Sequence, residues 1–203
     1  MNETDFSRGS KYHLVGGIAA ISIAIILLIG IINIVVFTGQ PRATIPDNFL
    51  ISIFKLHAGL NGVQENVLDV FSFLDVLIII LVGVMSFALY PMLKQVYKIG
   101  AIIAISMPII GLLLYILTHE IGRTGIIPAG LTIAIIMMFD DNFRKRTAYI
   151  GVLANSLLLI GDIGAISYAT IFAISISMGY ILFTIWCFLI AWRLFQLVSQ
   201  NQE

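Results

Sequence analysis

The sequence is poor in charged residues and in cysteine, and each shortage excludes a class of protein. Only 11% of its 203 residues are charged, whereas soluble domains average roughly 25%. Because 60% of the residues are hydrophobic, the chain has too little polar surface to cover a soluble fold. Cys187 is the single cysteine, which excludes an internal disulfide and a cysteine-based metal cluster. The composition therefore predicts a membrane protein.

The charges that are present are balanced and scattered. Eleven Lys and Arg residues match eleven Asp and Glu residues, and no long basic run occurs, so we expect no nucleic-acid partner. The first apolar run, residues 14–37, is longer than the core of a secretory signal, which has about 7–15 residues. We therefore interpret this run as a retained membrane span.

The sequence contains several long apolar segments with few charged residues. A span needs roughly 20 apolar residues to cross about 30 Å of hydrocarbon. The segments that meet or approach this length are residues 14–37, 70–93, 99–118, 124–139, 148–166 and 168–192. They predict an all-α integral membrane protein, a six-transmembrane-helix bundle that forms one polytopic domain over residues 1–203.

The longest connection, residues 38–69, lies between the first and second predicted spans. It contains the apolar stretch 49–60, which is too short to cross a membrane. Asp47 or Asn48 is a suitable N-cap for a helix that begins there. We predict a short amphipathic helix in this first outer loop, where it forms a lid-like segment packed on the span ends.

The distribution of Lys and Arg predicts the orientation of the bundle. With the N-terminus in the cytoplasm, the inner segments carry eight of these residues and the outer segments carry three. The inner set is Arg8, Lys11, Lys94, Lys98, Arg144, Lys145, Arg146 and Arg193, and the outer set is Arg42, Lys55 and Arg123. Because cytoplasmic loops are enriched in Lys and Arg, we predict a cell-membrane protein with both termini in the cytoplasm.

Asp75 lies inside the second predicted span and is the strongest indication of a functional site. A charge within a span is costly, so it usually faces protein or water and belongs to a site. With the predicted orientation, several further polar residues fall toward the outer face. The candidate ligand-binding residues are Asp75, His119, Glu120, Arg123, Asp162, His57 and Asn33. We expect the charged members to be paired, for example Asp75 or Glu120 with Arg123.

The start of the fourth span decides how deep the loop 119–125 lies. If this helix begins near Pro128, about 18 Å of helix remains, which is shorter than the hydrocarbon layer. His119, Glu120 and Arg123 would then line the floor of an outer vestibule. If the helix begins near Gly122, the loop is exposed in the ordinary way.

Two local interactions are also predicted. Asn155 lies in the middle of the fifth span, where an amide typically forms a hydrogen bond to a neighbouring helix. Asp141 or Asn142, in the preceding inner loop, is expected to cap the same span.

Three functions remain open from the sequence. Binding or transport of a small polar or amphipathic ligand in an outward-facing pocket is favoured, because polar groups from several spans converge there. A membrane-embedded, metal-dependent hydrolase or transferase would use His119, Glu120 and Asp162. The segment HEIGR, however, has Arg123 where the H-E-x-x-H zinc motif has its second His. We therefore expect no catalytic residues, no metal and no cofactor.

The third function is that of a non-catalytic subunit in which Asp75 and Arg123 join helices. In each case membrane lipids are the expected surroundings, with a small molecule or a lipid as the possible ligand.

Overall fold

The computed structural model describes residues 3–38, 65–118, 123–164 and 169–200, and all regular structure in these ranges is α-helical. In chain order the helices are α1 (Glu3–Thr38), α2 (Glu65–Val96), α3 (Lys98–Thr118), α4 (Arg123–Met137), α5 (Lys145–Gly164) and α6 (Ala169–Gln200). The predicted all-α class is confirmed. The predicted short helix in the first outer loop lies outside the described residues.

The apolar composition explains why these segments are helices. In a membrane every backbone N–H and C=O must be bonded within the protein, and a helix bonds them within one segment. Four helices contain a stretch that is long and apolar enough to cross a membrane. These stretches are Lys11–Ile32, Val76–Val96, Lys98–Leu117 and Ile174–Gln200. The chain is thus a helical protein with several candidate membrane spans.

The described helices form a closed ring. Each helix packs against the next one in the chain, and α6 returns to pack against α1. In addition, α2 packs across the ring against α4. Helices that follow one another in the chain are antiparallel. Between α3 and α4, for example, Gly100 lies near Ile136, and Gly111 lies near Gly125.

The antiparallel arrangement defines two ends of the ring. One end, called the basic end here, contains the connection at Tyr97 and the loop 138–144. Besides Arg8, whose backbone alone is described, its cations are the seven with described side chains: Lys11, Lys94, Lys98, Arg144, Lys145, Arg146 and Arg193. The opposite end contains the last turns of α1, α3 and α5 and the first turns of α2, α4 and α6.

Close helix contacts in the core depend on glycines. A Cβ added to Gly130 of α4 would lie 2.3 Å from Asn155 Oδ1, and one added to Gly151 of α5 would lie 2.3 Å from Trp186 Nε1. Both Asn155 and Trp186 are fully buried. Asn155 Nδ2 donates its hydrogen bond to Gly151 O of its own helix, at 2.8 Å. The predicted bond to a neighbouring helix is therefore replaced by close packing against the backbone of α4.

The start of α4 differs from the vestibule hypothesis. The helix begins at Arg123, five residues before Pro128, so the alternative of an earlier start is nearer to the structure. With 15 residues, α4 is still only about 22 Å long, less than the roughly 30 Å hydrocarbon layer. Pro128 lies in the second turn and does not end the helix.

Candidate functional site

Four of the seven predicted site residues lie in described helices, all toward the opposite end. Asn33 lies near the end of α1, Asp75 in the first third of α2, Arg123 at the start of α4 and Asp162 near the end of α5. The Asp162 side chain is half-buried. The remaining three, His57, His119 and Glu120, lie outside the described residues.

Arg123 and Asp162 lie at the same height in the ring. Gly130 of α4 contacts Asn155 of α5, which fixes the register of the two helices. Arg123 precedes Gly130 by seven residues, and Asp162 follows Asn155 by seven. Because the helices are antiparallel, both residues lie about 10 Å from that contact in the same direction. The register thus brings a cation and a carboxylate to one level on adjacent helices.

Asp75 lies close to this level on the other side of α4. Gly83 of α2 faces Pro108 of α3, and α3 in turn contacts α4 where Gly111 meets Gly125. At 1.5 Å per residue along each helix, these two contacts place the backbones of Asp75 and Arg123 at heights that differ by about 5 Å. Helix α4 packs against both α2 and α5, whereas α2 and α5 make no contact within the described ranges. Arg123 therefore begins the helix that separates the two acidic residues.

The metal alternative gains no support from the part of the chain that the structure describes. Within it, no group of three or more His, Cys, Asp or Glu side chains is arranged to hold a metal ion. The ligands that the metal hypothesis needs include His57, His119 and Glu120, which are outside that part. The hypothesis thus stays untested.

A second polar group, at the basic end, was not predicted from the sequence. Asp140 is only 3% exposed, and its Oδ1 accepts hydrogen bonds from Asn142 N and Asn142 Nδ2, both at 2.8 Å. Arg193 Nε of α6 donates to Asn142 O at 2.6 Å, and Lys145 Nζ donates to Met138 O. Asp140 Oδ2 is buried and has no hydrogen-bond partner among the described residues.

These bonds assign the second group a structural role in the loop 138–144. The turn-forming sequence Asp140–Asp141–Asn142 was a usable signal for the turn itself. The capping prediction was wrong, because α5 begins at Lys145 and Asn142 bonds to Asp140 instead.

The two polar groups differ in what they can do chemically. At the basic end, hydrogen bonds within the loop and to α6 connect the turn to its surroundings, which is consistent with a structural role. At the opposite end, two acidic residues and one Arg lie at similar heights on three packed helices, a combination suited to binding a charged or polar group. Compared with known proteins, the chain has no significant match among protein-family models, curated proteins or solved structures.

Proposed function

We propose that the protein is a six-span cell-membrane protein that binds or transports a small polar or amphipathic ligand through a polar pocket at its outer face. The observation that carries this proposal is the similar height of Asp75, Arg123 and Asp162 on α2, α4 and α5. The lid-like segment predicted over residues 38–69, most of which lies outside the described residues, covers the same end in this proposal. The protein is not an enzyme in this proposal, and both of its termini are cytoplasmic.

Four helices are long and apolar enough to cross a membrane, and the proposal adds crossings by α4 and α5. Helix α5 has 20 residues, which corresponds to about 30 Å and matches the hydrocarbon thickness. Helix α4 is shorter, so its first turn, with Arg123, lies below the outer membrane surface when its last turn reaches the inner one. A short helix between long ones therefore leaves an outer depression above it.

The charge distribution supports the orientation. Seven described cations belong to the basic end, and this end would face the cytoplasm by the positive-inside rule. Trp192 and Tyr97 are exposed at the same end, 68% and 54% respectively, as expected for aromatic residues at a membrane interface. Asp75, Arg123 and Asp162 then belong to the outer half of the membrane.

The combination of charges supports a ligand site rather than an enzyme. Charged residues within spans commonly pair with each other or line a water-filled cavity. One Arg between two acidic residues leaves one carboxylate in excess, which favours a ligand with a cationic or hydrogen-bond-donating group. The apolar walls around such a site would accept the carbon chain of an amphipathic ligand.

The test is a stability screen of the purified protein against small organic cations, anions, zwitterions and amphiphiles. We expect a compound that raises the melting temperature of the wild type and not that of Asp75→Asn. The asparagine amide is neutral and cannot balance a cationic group of the ligand, so the variant should lose this stabilisation. The matched control is Asp141→Asn, which removes an exposed acid at the basic end and should respond as the wild type does.

Two outcomes would contradict the proposal. One is a screen in which every stabilising compound acts equally on the wild type and on Asp75→Asn. The other is a stoichiometric transition metal in the same purified sample, lost in His119→Ala, which would favour the enzyme instead.

A further inference from the structure

A groove of about 460 Å³ runs along the outside of the ring between α1 and α3. These two helices flank α2 and make no contact with each other in the described ranges, so α2 forms the floor. Gly83 and Ala88 place no large side chain on this floor, and Ile79 and Leu112 lie at the end of the groove far from Lys11. Gly83 of the floor faces Pro108 of α3, and a Cβ added to Gly83 would lie 3.6 Å from Pro108 Cβ.

The groove is apolar and open to the surroundings of the ring. Phe87 of its floor is 57% exposed and Ile109 of its α3 wall is 55% exposed. Exposure of such apolar surface is unfavourable in water, whereas contact with the hydrocarbon of a membrane is favourable. From Ala88 to Ile79 the floor extends about 14 Å along α2, close to half of the roughly 30 Å hydrocarbon layer. Its length therefore matches the acyl chain of one leaflet.

One end of the groove is charged. Lys11 and Tyr12 of α1 line it there, and both side chains are exposed. Tyr12 also packs edge-on against Phe87, with the ring centroids 6.2 Å apart. Because Lys11 is the first residue of the α1 span, its ammonium group is at the level of the lipid headgroups. A phosphate of a lipid in that leaflet would lie within reach of this cation.

We propose that this groove is a binding site for an anionic phospholipid from the leaflet at the basic end. One acyl chain lies on Gly83 between α1 and α3, and the phosphate group contacts Lys11 and the Tyr12 hydroxyl. The site is separate from the polar pocket at the opposite end. Its occupant is defined by charge complementarity at Lys11 and by the depth of one leaflet.

The test is a lipid titration of the delipidated, full-length protein, followed by native mass spectrometry. The probes are palmitoyl-oleoyl phosphatidylglycerol and phosphatidylcholine, which share their acyl chains and differ in headgroup charge. We expect the wild type to bind phosphatidylglycerol about fivefold more tightly, the effect of one Lys near the membrane surface. Lys11→Gln should remove this preference, whereas Lys98→Gln, a control at the same end outside the groove, should retain it.

The acyl-chain part of the site has its own variants. Gly83→Leu fills the groove and should weaken binding of both lipids, whereas Gly30→Leu, where an added Cβ meets no atom within 4 Å, should not. Asp75→Asn should leave both affinities unchanged, so this result is independent of the proposed ligand pocket.

Four outcomes would overturn the assignment. If the wild type bound the two lipids equally, Lys11 would not select an anionic headgroup. If Lys11→Gln and Lys98→Gln lost the preference equally, general surface charge and not the groove would explain it. Unchanged lipid binding in Gly83→Leu would remove the groove from the site. A dimer that Gly83→Leu dissociates would assign the groove to a second copy of the chain.

Discussion

At the residue scale, glycines determine how closely α4, α5 and α6 approach one another. Gly130 lies against the Asn155 amide and Gly151 against the Trp186 indole, so each polar group touches backbone where other residues carry a side chain. Contacts of Cα–H groups with a carbonyl oxygen are weakly favourable at such interfaces. Small residues thereby allow helix packing without a hydrophobic driving force.

Replacement of Gly151 by Ala should destabilise the protein. The new methyl group would lie 2.3 Å from Trp186 Nε1 and 2.9 Å from Ala134 Cβ, and both neighbours are fully buried. We expect a loss of about 1–3 kcal/mol in the free energy of unfolding, the usual cost of overpacking a core. Unfolding in a detergent–denaturant series, followed by the fluorescence of Trp186 with Trp192 replaced by Phe in both proteins, measures it.

Gly30→Ala is the control for this prediction. An added Cβ at Gly30 meets no atom within 4 Å, and Ala is favoured over Gly in a helix by up to about 1 kcal/mol. The control should therefore be neutral or stabilising. If the two variants unfolded alike, the close approach of α5 and α6 at Trp186 would be refuted.

The amide of Asn155 illustrates which local interactions the sequence predicts. Its position in the middle of an apolar segment correctly indicates a buried polar group, since it is 0% exposed. Its hydrogen-bond partner could not be predicted, because Gly151 O of the same helix is always within reach of such a side chain. The choice depends on how closely α4 approaches, and a single sequence does not give that distance.

At the element scale, the loop 138–144 and the end of α6 hold the basic end together. Asp140 closes the turn through its two bonds from Asn142, and Arg193 reaches the carbonyl of Asn142 from a helix more than 50 residues away in the chain. The loop thereby ties α4 and α5 to α6.

Asp140→Ala should therefore destabilise this end. It removes the acceptor of two hydrogen bonds, which corresponds to about 1–3 kcal/mol at the usual net value of such bonds. The neighbouring Asp141 is exposed, so Asp141→Ala should change stability by no more than about 0.5 kcal/mol. Melting temperatures of the two purified variants make the comparison, and similar values would show that Asp140 is not the residue that fixes the loop.

Hydrophobicity predicted the helices well and their ends less well. Apolar length alone located the segments that became α1 to α6, because each must bond its own backbone in a membrane. The predicted spans 14–37 and 70–93 begin later than α1 and α2, which start at Glu3 and Glu65, since the first turns contain polar residues that hydrophobicity assigns to loops. A helix can extend beyond the apolar layer, and composition does not record where it stops.

At the scale of the whole molecule, the ring depends on contacts that the order of spans does not specify. Contact between α6 and α1 closes the ring, and contact between α2 and α4 crosses it. Gly16 of α1 contributes to the closure, since an added Cβ there would lie 3.1 Å from Leu194 of α6 and 2.7 Å from Ala88 of α2. The sequence does not predict that α4 separates Asp75 from Asp162, because that separation depends on how the helices pack.

The orientation of the ring decides on which side of the membrane the proposed ligand pocket lies. Single cysteines at positions 44 and 166 should react with a membrane-impermeant maleimide from outside intact cells, and those at 95 and 145 only after the membrane is opened. The native Cys187 provides the background, because it is buried in the core and should not react in either case.

The labelling pattern tests two separate inferences, the orientation from the cations and the number of membrane crossings from the helices. The reverse labelling pattern would give the outer face seven described cations, contrary to the positive-inside rule, and would move the proposed ligand pocket to the cytoplasm. Labelling of positions 44 and 166 from opposite sides would instead mean an odd number of crossings between them. In that case α4 or α5 would not span the membrane, and the antiparallel ring would be wrong as well.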